Sequence, residues 1–130
     1  MEANLVIIAV EHQDLRHSLR RVLSDRVERM IFADDAKSLL DTLALTHADL
    51  LLVDLSLPAN GNTNILKVLG SQAIEPPVII LGDYEPEEAE EEALSHGARA
   101  YVMKNRLVSD LLPAVEGVFH QDSQNSQSSN

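Results

Sequence analysis

Cysteine and tryptophan are absent from this 130-residue chain, and aromatic residues make up only 3% of it. Without cysteine, the chain has no disulfide, no thiol redox chemistry and no thiolate metal site. Few aromatic side chains also argue against a stacking surface for single-stranded nucleic acid. No apolar run approaches the ~20 residues that cross a bilayer, and the first residues lack the basic segment of a secretory signal. The composition therefore favours a cytoplasmic protein with no membrane partner.

Positive charge is scarce, with 10 Lys and Arg against 21 Asp and Glu and a formal net charge of −11. Because phosphate contacts need clustered cations, we expect no direct binding of nucleic acid by this domain. Arg16, Arg20 and Arg21 come nearest to a basic patch, and we interpret them as the solvated face of a helix. The length fits one domain, which buries roughly two-thirds of its unfolded surface without any crosslink.

Short apolar runs alternate with amphipathic helical patterns five times along the chain. Runs that read as buried strands cover residues 5–10, 30–33, 50–53, 77–81 and 101–103. Such alternation is typical of a doubly wound α/β fold with a five-stranded parallel sheet.

Two helix ends and the C-terminal stretch carry local signals. Asp34 or Asp35 can cap the second helix, and Gly97 is suited to end a fourth helix over residues 86–96. The last helix is expected over residues 111–119, with Pro113 delaying its start or bending it. After a domain over residues 1–120, the Gln-, Asn- and Ser-rich residues 121–130 suggest a disordered tail or an interdomain linker.

Charged side chains follow several of the predicted strands. Glu11 follows the first strand, Asp54 the third and Lys104 the fifth. Because the carboxyl ends of parallel strands meet at one edge of a sheet, these groups should converge there. Two neighbouring carboxylates attract a hard cation such as Mg²⁺. A carboxylate can also act as a nucleophile towards a phosphoryl group, which the cation and the lysine would stabilise.

The segments LVIIAVEHQ, LLLVDLSLP, VIILG and GARAYVMK make residues 4–119 resemble the response-regulator receiver domains of two-component signalling. The resemblance implies the flavodoxin-like (βα)5 fold with strand order 2-1-3-4-5. It implies that Asp54 is the phosphoacceptor and that Lys104 contacts the phosphoryl group. Glu11 and the backbone carbonyl of Ser56 would join Asp54 in binding Mg²⁺. Tyr101 would be the aromatic switch residue on the output face.

Two residues depart from the receiver pattern. Val10 stands where the first acid of the strand-1 pair is expected, which should weaken Mg²⁺ binding. Gly82 stands where a Thr or Ser hydroxyl normally bonds the phosphoryl group and draws Tyr101 inward. The chain thus resembles an atypical or degenerate receiver, with no hydroxyl at position 82 for the usual switch coupling.

The resemblance leaves two functions open, neither of them that of a metabolic enzyme. In the first, a sensor histidine kinase or phosphotransfer protein phosphorylates Asp54, which switches a protein-interaction face. In the second, the domain is a pseudo-receiver, a phosphorylation-independent module for interaction or dimerisation. A homodimer and a C-terminal output domain for transcription regulation in a longer chain are both compatible with the resemblance.

Functions of other classes are less compatible with the sequence. A nucleotide binder would need a glycine-rich loop, whereas Glu11 and Asp14 after the first strand would repel phosphate. A phosphohydrolase would need a second acid just after Asp54, and none is there. The acidic stretch from Asp83 to Glu92 is either a solvated helix face, favoured by the helix dipole, or a surface for a basic partner.

Overall fold

The computed structural model describes the backbone of residues 3–61 and 63–128, and side-chain environments up to residue 120. The strands are β1 (Ala3–Ala9), β2 (Val27–Ala33), β3 (Leu50–Asp54), β4 (Val78–Gly82) and β5 (Ala100–Met103). The helices are α1 (Gln13–Leu23), α2 (Ala36–Leu45), α3 (Ile65–Gly70), α4 (Pro86–Ser95) and α5 (Leu107–Ser128). A single 3-10 turn over Lys104–Arg106 leads into α5. All neighbouring strands pair in parallel, in the order β2-β1-β3-β4-β5, which confirms the predicted fold.

The sheet is covered on both faces. Because successive side chains of a strand point to opposite faces, Ile7 and Ala9 pack in one core layer and Val6, Ile8 and Val10 in the other. Helices α2, α3 and α4 cover the first layer, and α1 and α5 cover the second. Burial on both faces explains why the strands read as unbroken apolar runs.

Local capping signals fix the ends of two helices. Asp35 is the N-cap of α2, where its Oδ1 accepts the backbone N–H of Ser38 at 2.8 Å within a reciprocal capping box. Helix α4 ends in a Schellman motif, in which Ala98 donates its N–H to the carbonyl of Ala93 and Gly97 adopts a φ of 100°. Both caps were predicted.

The last helix differs from the prediction in its start. It begins at Leu107 rather than at residue 111, with Pro113 at an exposed position inside it. Leu107 and Leu111 are both buried against the sheet, so their packing outweighs the backbone hydrogen bond that proline removes. The helical backbone continues to Ser128, into the segment expected to be a tail or linker, whose role stays a prediction. Over the described residues, no helix has both the length and the hydropathy of a membrane span.

Candidate functional site

Asp54 is the last residue of β3, and its side chain is only 1% exposed. Its Oδ1 accepts hydrogen bonds from the backbone N–H and the hydroxyl of Ser56, both at 2.8 Å. The Lys104 ammonium lies 2.7 Å from the same oxygen. A buried carboxylate is costly unless it is paired and hydrogen-bonded, and these three donors supply that compensation. The predicted convergence of the ends of β3 and β5 is therefore present.

Lys104 lies at the start of the 3-10 turn after β5 and bridges two carboxylates. Its Nζ lies 3.2 Å from Oδ2 of Asp83, besides the contact with Asp54. Burial alone would lower the pKa of Lys104, but the hydrogen bond and charge of Asp54, followed by those of Asp83, raise it above its usual 10.5. We call Asp54, Ser56, Asp83 and Lys104 the acceptor pocket.

Val10, at the position of the missing acid, is sealed in the core layer of α1 and α5 with no exposed surface. Its carbonyl accepts a hydrogen bond from Nε of Arg16 at 2.7 Å, and the guanidinium lies 5.2 Å from the centre of the Phe32 ring. Glu11 is exposed. Within the described part of the chain, no three acids or histidines are grouped to hold a metal ion. The proposed set of Glu11, Asp54 and Ser56 therefore stays a prediction.

Tyr101 of β5 is buried in the core layer that α4 covers, and its ring occupies the space beside Gly82. A Cβ atom at position 82 would lie 2.7 Å from Cε1 and Cζ of Tyr101 and would also collide with its hydroxyl oxygen. That hydroxyl donates to the carbonyl of Tyr84 at 2.7 Å. Burial raises the pKa of the Tyr101 phenol above its usual 10.0. The missing side chain at Gly82 therefore makes room for the ring.

Comparison with known proteins assigns the chain to a family. The family model described as the response regulator receiver domain matches residues 6–116. The chain belongs to this family. Among its relatives, PdtaR, a transcriptional regulatory protein of Mycobacterium tuberculosis, is 27% identical over 112 residues, which are 85% of this chain and 54% of PdtaR. The virulence transcriptional regulatory protein PhoP of Salmonella typhimurium is 26% identical over 118 residues, 91% of this chain and 53% of PhoP.

Solved structures show the same fold. The RcsB response regulator of Salmonella typhimurium matches with a TM-score of 0.81 at 21% identity, over 93% of this chain and 62% of RcsB. NtrX from Brucella abortus matches with a TM-score of 0.83 at 22% identity, over 99% of this chain and 29% of NtrX. The receiver domain thus spans about half the length of the curated relatives it matches.

Two groups in this receiver were not placed by the sequence. Asp83 carries no strong motif of its own, and only the fold shows that its carboxylate meets Lys104. The acceptor of the Tyr101 hydroxyl is a backbone carbonyl, that of Tyr84, which no residue pattern reveals. The Tyr84 side chain itself is 69% exposed.

Surface depressions lie both near and far from the acceptor pocket. A depression of about 300 Å³ adjoins Ser56, Asp83 and Tyr84. Two larger ones of about 640 Å³ each lie near the amino ends of the strands and include no acceptor-pocket residue. In a parallel α/β sheet the reactive groups lie at the carboxyl ends, so the smaller depression is the relevant one.

Proposed function

We propose that this receiver domain is a protein-interaction module whose output face keeps one arrangement whether or not Asp54 is phosphorylated. The output face is the surface formed by α4, β5 and α5. One observation carries the proposal: the Tyr101 ring fills the space beside Gly82. Since position 82 has no hydroxyl, no side chain there can link a phosphoryl group on Asp54 to the ring.

The energetics favour a fixed ring. Burying an aromatic side chain contributes about 1.5–3 kcal/mol, and its hydrogen bond about 0.5–1.5 kcal/mol. A preference of roughly 2–4 kcal/mol leaves an outward ring at about 3% of molecules or fewer. A modification shifts a two-state equilibrium only by its differential interaction with the two states. Phosphorylation of Asp54 would therefore have little left to change at Tyr101.

The chemistry of the output face favours a partner with a basic surface. Its α4 helix presents five exposed acids, namely Glu87, Glu88, Glu90, Glu91 and Glu92. Tyr84 at 69% and Val108 at 87% exposure add apolar area at its margins. Like charges on α4 would oppose close pairing of two copies there at low ionic strength. A separate basic protein, or a basic output domain in a longer chain, fits this face better than a homodimer.

The two tyrosines of the chain allow a direct test of the fixed ring. In protein labelled with fluorotyrosine, the Tyr84→Phe variant assigns the two ¹⁹F resonances. We expect the Tyr101 resonance to stay in place when Mg²⁺ and beryllofluoride, a mimic of the phosphoryl group, are added. A shift of that resonance that Asp54→Ala abolishes would refute the proposal and establish a working phosphorylation switch.

A second candidate function is phosphoacceptance at Asp54, in which a sensor histidine kinase or phosphotransfer protein is the donor. The observation that favours it is the contact between Asp54 and Lys104 at 2.7 Å, because that ammonium would stabilise the added phosphoryl oxygens. Labelling with acetyl phosphate in wild type and in Asp54→Asn tests it. Labelling that survives the substitution would remove Asp54 as the acceptor, and phosphorylation that moves Tyr101 would favour this candidate over the first.

A further inference from the structure

The Lys104 ammonium is almost enclosed by oxygen atoms of the chain itself. It lies 2.7 Å from Oδ1 of Asp54, 3.2 Å from Oδ2 of Asp83 and 3.4 Å from the Ser56 hydroxyl. Its side chain is 16% exposed. An ammonium has three donors, and the chain offers an oxygen to each. Lys104 therefore lies between two carboxylates, as a bound cation would.

The Asp54 oxygen that faces Lys104 has little capacity left for a metal. Its Oδ1 already accepts from three donors, of which two belong to Ser56 and one to Lys104. Mg²⁺ requires near-octahedral oxygen ligands at about 2.0–2.1 Å and is reluctant to lose its waters. A metal at Oδ1 would have to displace Lys104 or the Ser56 hydroxyl. Both are held within the fold, so their displacement opposes binding.

The end of β1 offers only the exposed side chain of Glu11 as a second acid. Val10 is enclosed in the core, and the Arg16 guanidinium donates to its carbonyl at 2.7 Å. The Val10 carbonyl is therefore already engaged by a guanidinium. Because Asp54 and Asp83 are both paired with Lys104 and Glu11 is exposed, the donor set of this chain does not fit a resident Mg²⁺ ion.

We infer that Lys104, shared between Asp54 and Asp83, is the resident counter-ion of the acceptor pocket and takes the place of a divalent metal. Asp83 is the second anchor of this arrangement, which links the end of β4 to the end of β5. The inference does not rest on the proposed function, since it concerns the resting pocket and not the position of Tyr101.

A magnesium chloride titration without any phosphodonor tests the inference. Amide shifts of Asp54, Ser56 and Asp83 are followed in wild type and in Lys104→Gln. Wild type should show no saturable response up to about 20 mM, well above the ~1 mM range of weak protein sites. Removal of the ammonium should leave two uncompensated carboxylates and tighten Mg²⁺ binding at least about tenfold. Lys104→Arg, which keeps the charge, should behave as wild type does.

Lys37→Gln is the matched control, because it removes one positive charge from an exposed pair, in which Lys37 lies 2.9 Å from Asp41. It should leave the titration unchanged. Saturable binding to wild type anywhere below about 20 mM, or equal affinity of wild type and Lys104→Gln, would overturn the inference. If Lys104→Gln does not fold, the side-chain ammonium signal of Lys104 in wild type decides. Its loss on addition of Mg²⁺ would overturn the inference, and its persistence would support it.

Discussion

Gly82→Ala is the substitution that most directly tests the placement of Tyr101. Gly82 does not have a positive φ, so its backbone accepts alanine and only the space beside it matters. The new Cβ would lie 2.7 Å from Cε1 and Cζ of Tyr101, closer than non-bonded carbon atoms approach. Either the ring stays under strain, or it leaves its site and gives up its burial and its hydrogen bond to Tyr84.

Both responses destabilise the fold by a similar amount. Overpacking of a core costs about 1–3 kcal/mol. Expulsion of the ring costs roughly 2–4 kcal/mol, the sum of its burial and one hydrogen bond. Alanine in place of glycine in a strand returns about 0.5–1 kcal/mol. We therefore expect Gly82→Ala to lower the free energy of unfolding by about 1–3 kcal/mol in urea titrations followed by circular dichroism.

A double-mutant cycle attributes that loss to the ring. In a Tyr101→Val background, Gly82→Ala should be neutral or slightly stabilising, which gives a coupling energy of about 2 kcal/mol. Gly117→Ala is the matched control, since a Cβ there meets nothing within 4 Å and should stabilise α5 by about 0.5–1 kcal/mol. A coupling energy below about 0.5 kcal/mol would show that Tyr101 does not occupy the space beside Gly82.

Three other perturbations test the surrounding contacts. Because the folded pKa of Tyr101 is raised above 10.0, this residue should stabilise the fold below pH 10 and lose that contribution as the pH rises through the folded pKa. In the Tyr84→Phe variant Tyr101 is the remaining tyrosine, and ultraviolet titration of this variant should give a pKa above 10.0. The hydrogen bond from the backbone amide of Ser38 lowers the pKa of Asp35 below 3.8. Asp35→Ala should therefore unfold at a lower urea concentration than wild type at neutral pH. The difference between the two urea midpoints should vanish as the pH falls through the folded pKa of Asp35. In the same urea assay, Val10→Ala should lower the free energy of unfolding by about 1–2 kcal/mol. Val10→Asp should lower it further, because the side chain at position 10 has no exposed surface. Equal stability of Val10→Asp and wild type would mean that this position opens to water.

The parts of the fold that sequence predicted are those governed by local or topological rules. Apolar runs gave the strands, and the convergence of Asp54 with Lys104 followed from the rule that parallel strands share a carboxyl edge. Pro113 misled the prediction of α5, because the buried contacts of Leu107 and Leu111 that outweigh it come from distant parts of the chain.

The rest of the site depends on pairings between strands, which a single sequence does not display. Tyr101 pairs with Ile80 across β4 and β5, and from there its ring reaches Gly82. From the sequence alone, a glycine at a strand end is equally compatible with a turn, with the absence of a functional hydroxyl side chain, or with the close approach of a neighbouring side chain. Asp83 has the same ambiguity, because an acid before a helix is favoured by the helix dipole whether or not Lys104 lies close by.

The two departures from the receiver pattern are each packed into the rest of the structure. Val10 stands where the receiver pattern has an acid, and its side chain lies in the core of α1 and α5. Gly82 stands where that pattern has a hydroxyl residue, and the Tyr101 ring fills the space beside it. Neither receiver-type side chain could be introduced without cost. Here Val10→Asp would place a carboxylate in the core, and Gly82→Thr would collide with a ring that is anchored to Tyr84. Each of these substitutions would therefore need a compensating change elsewhere in the fold.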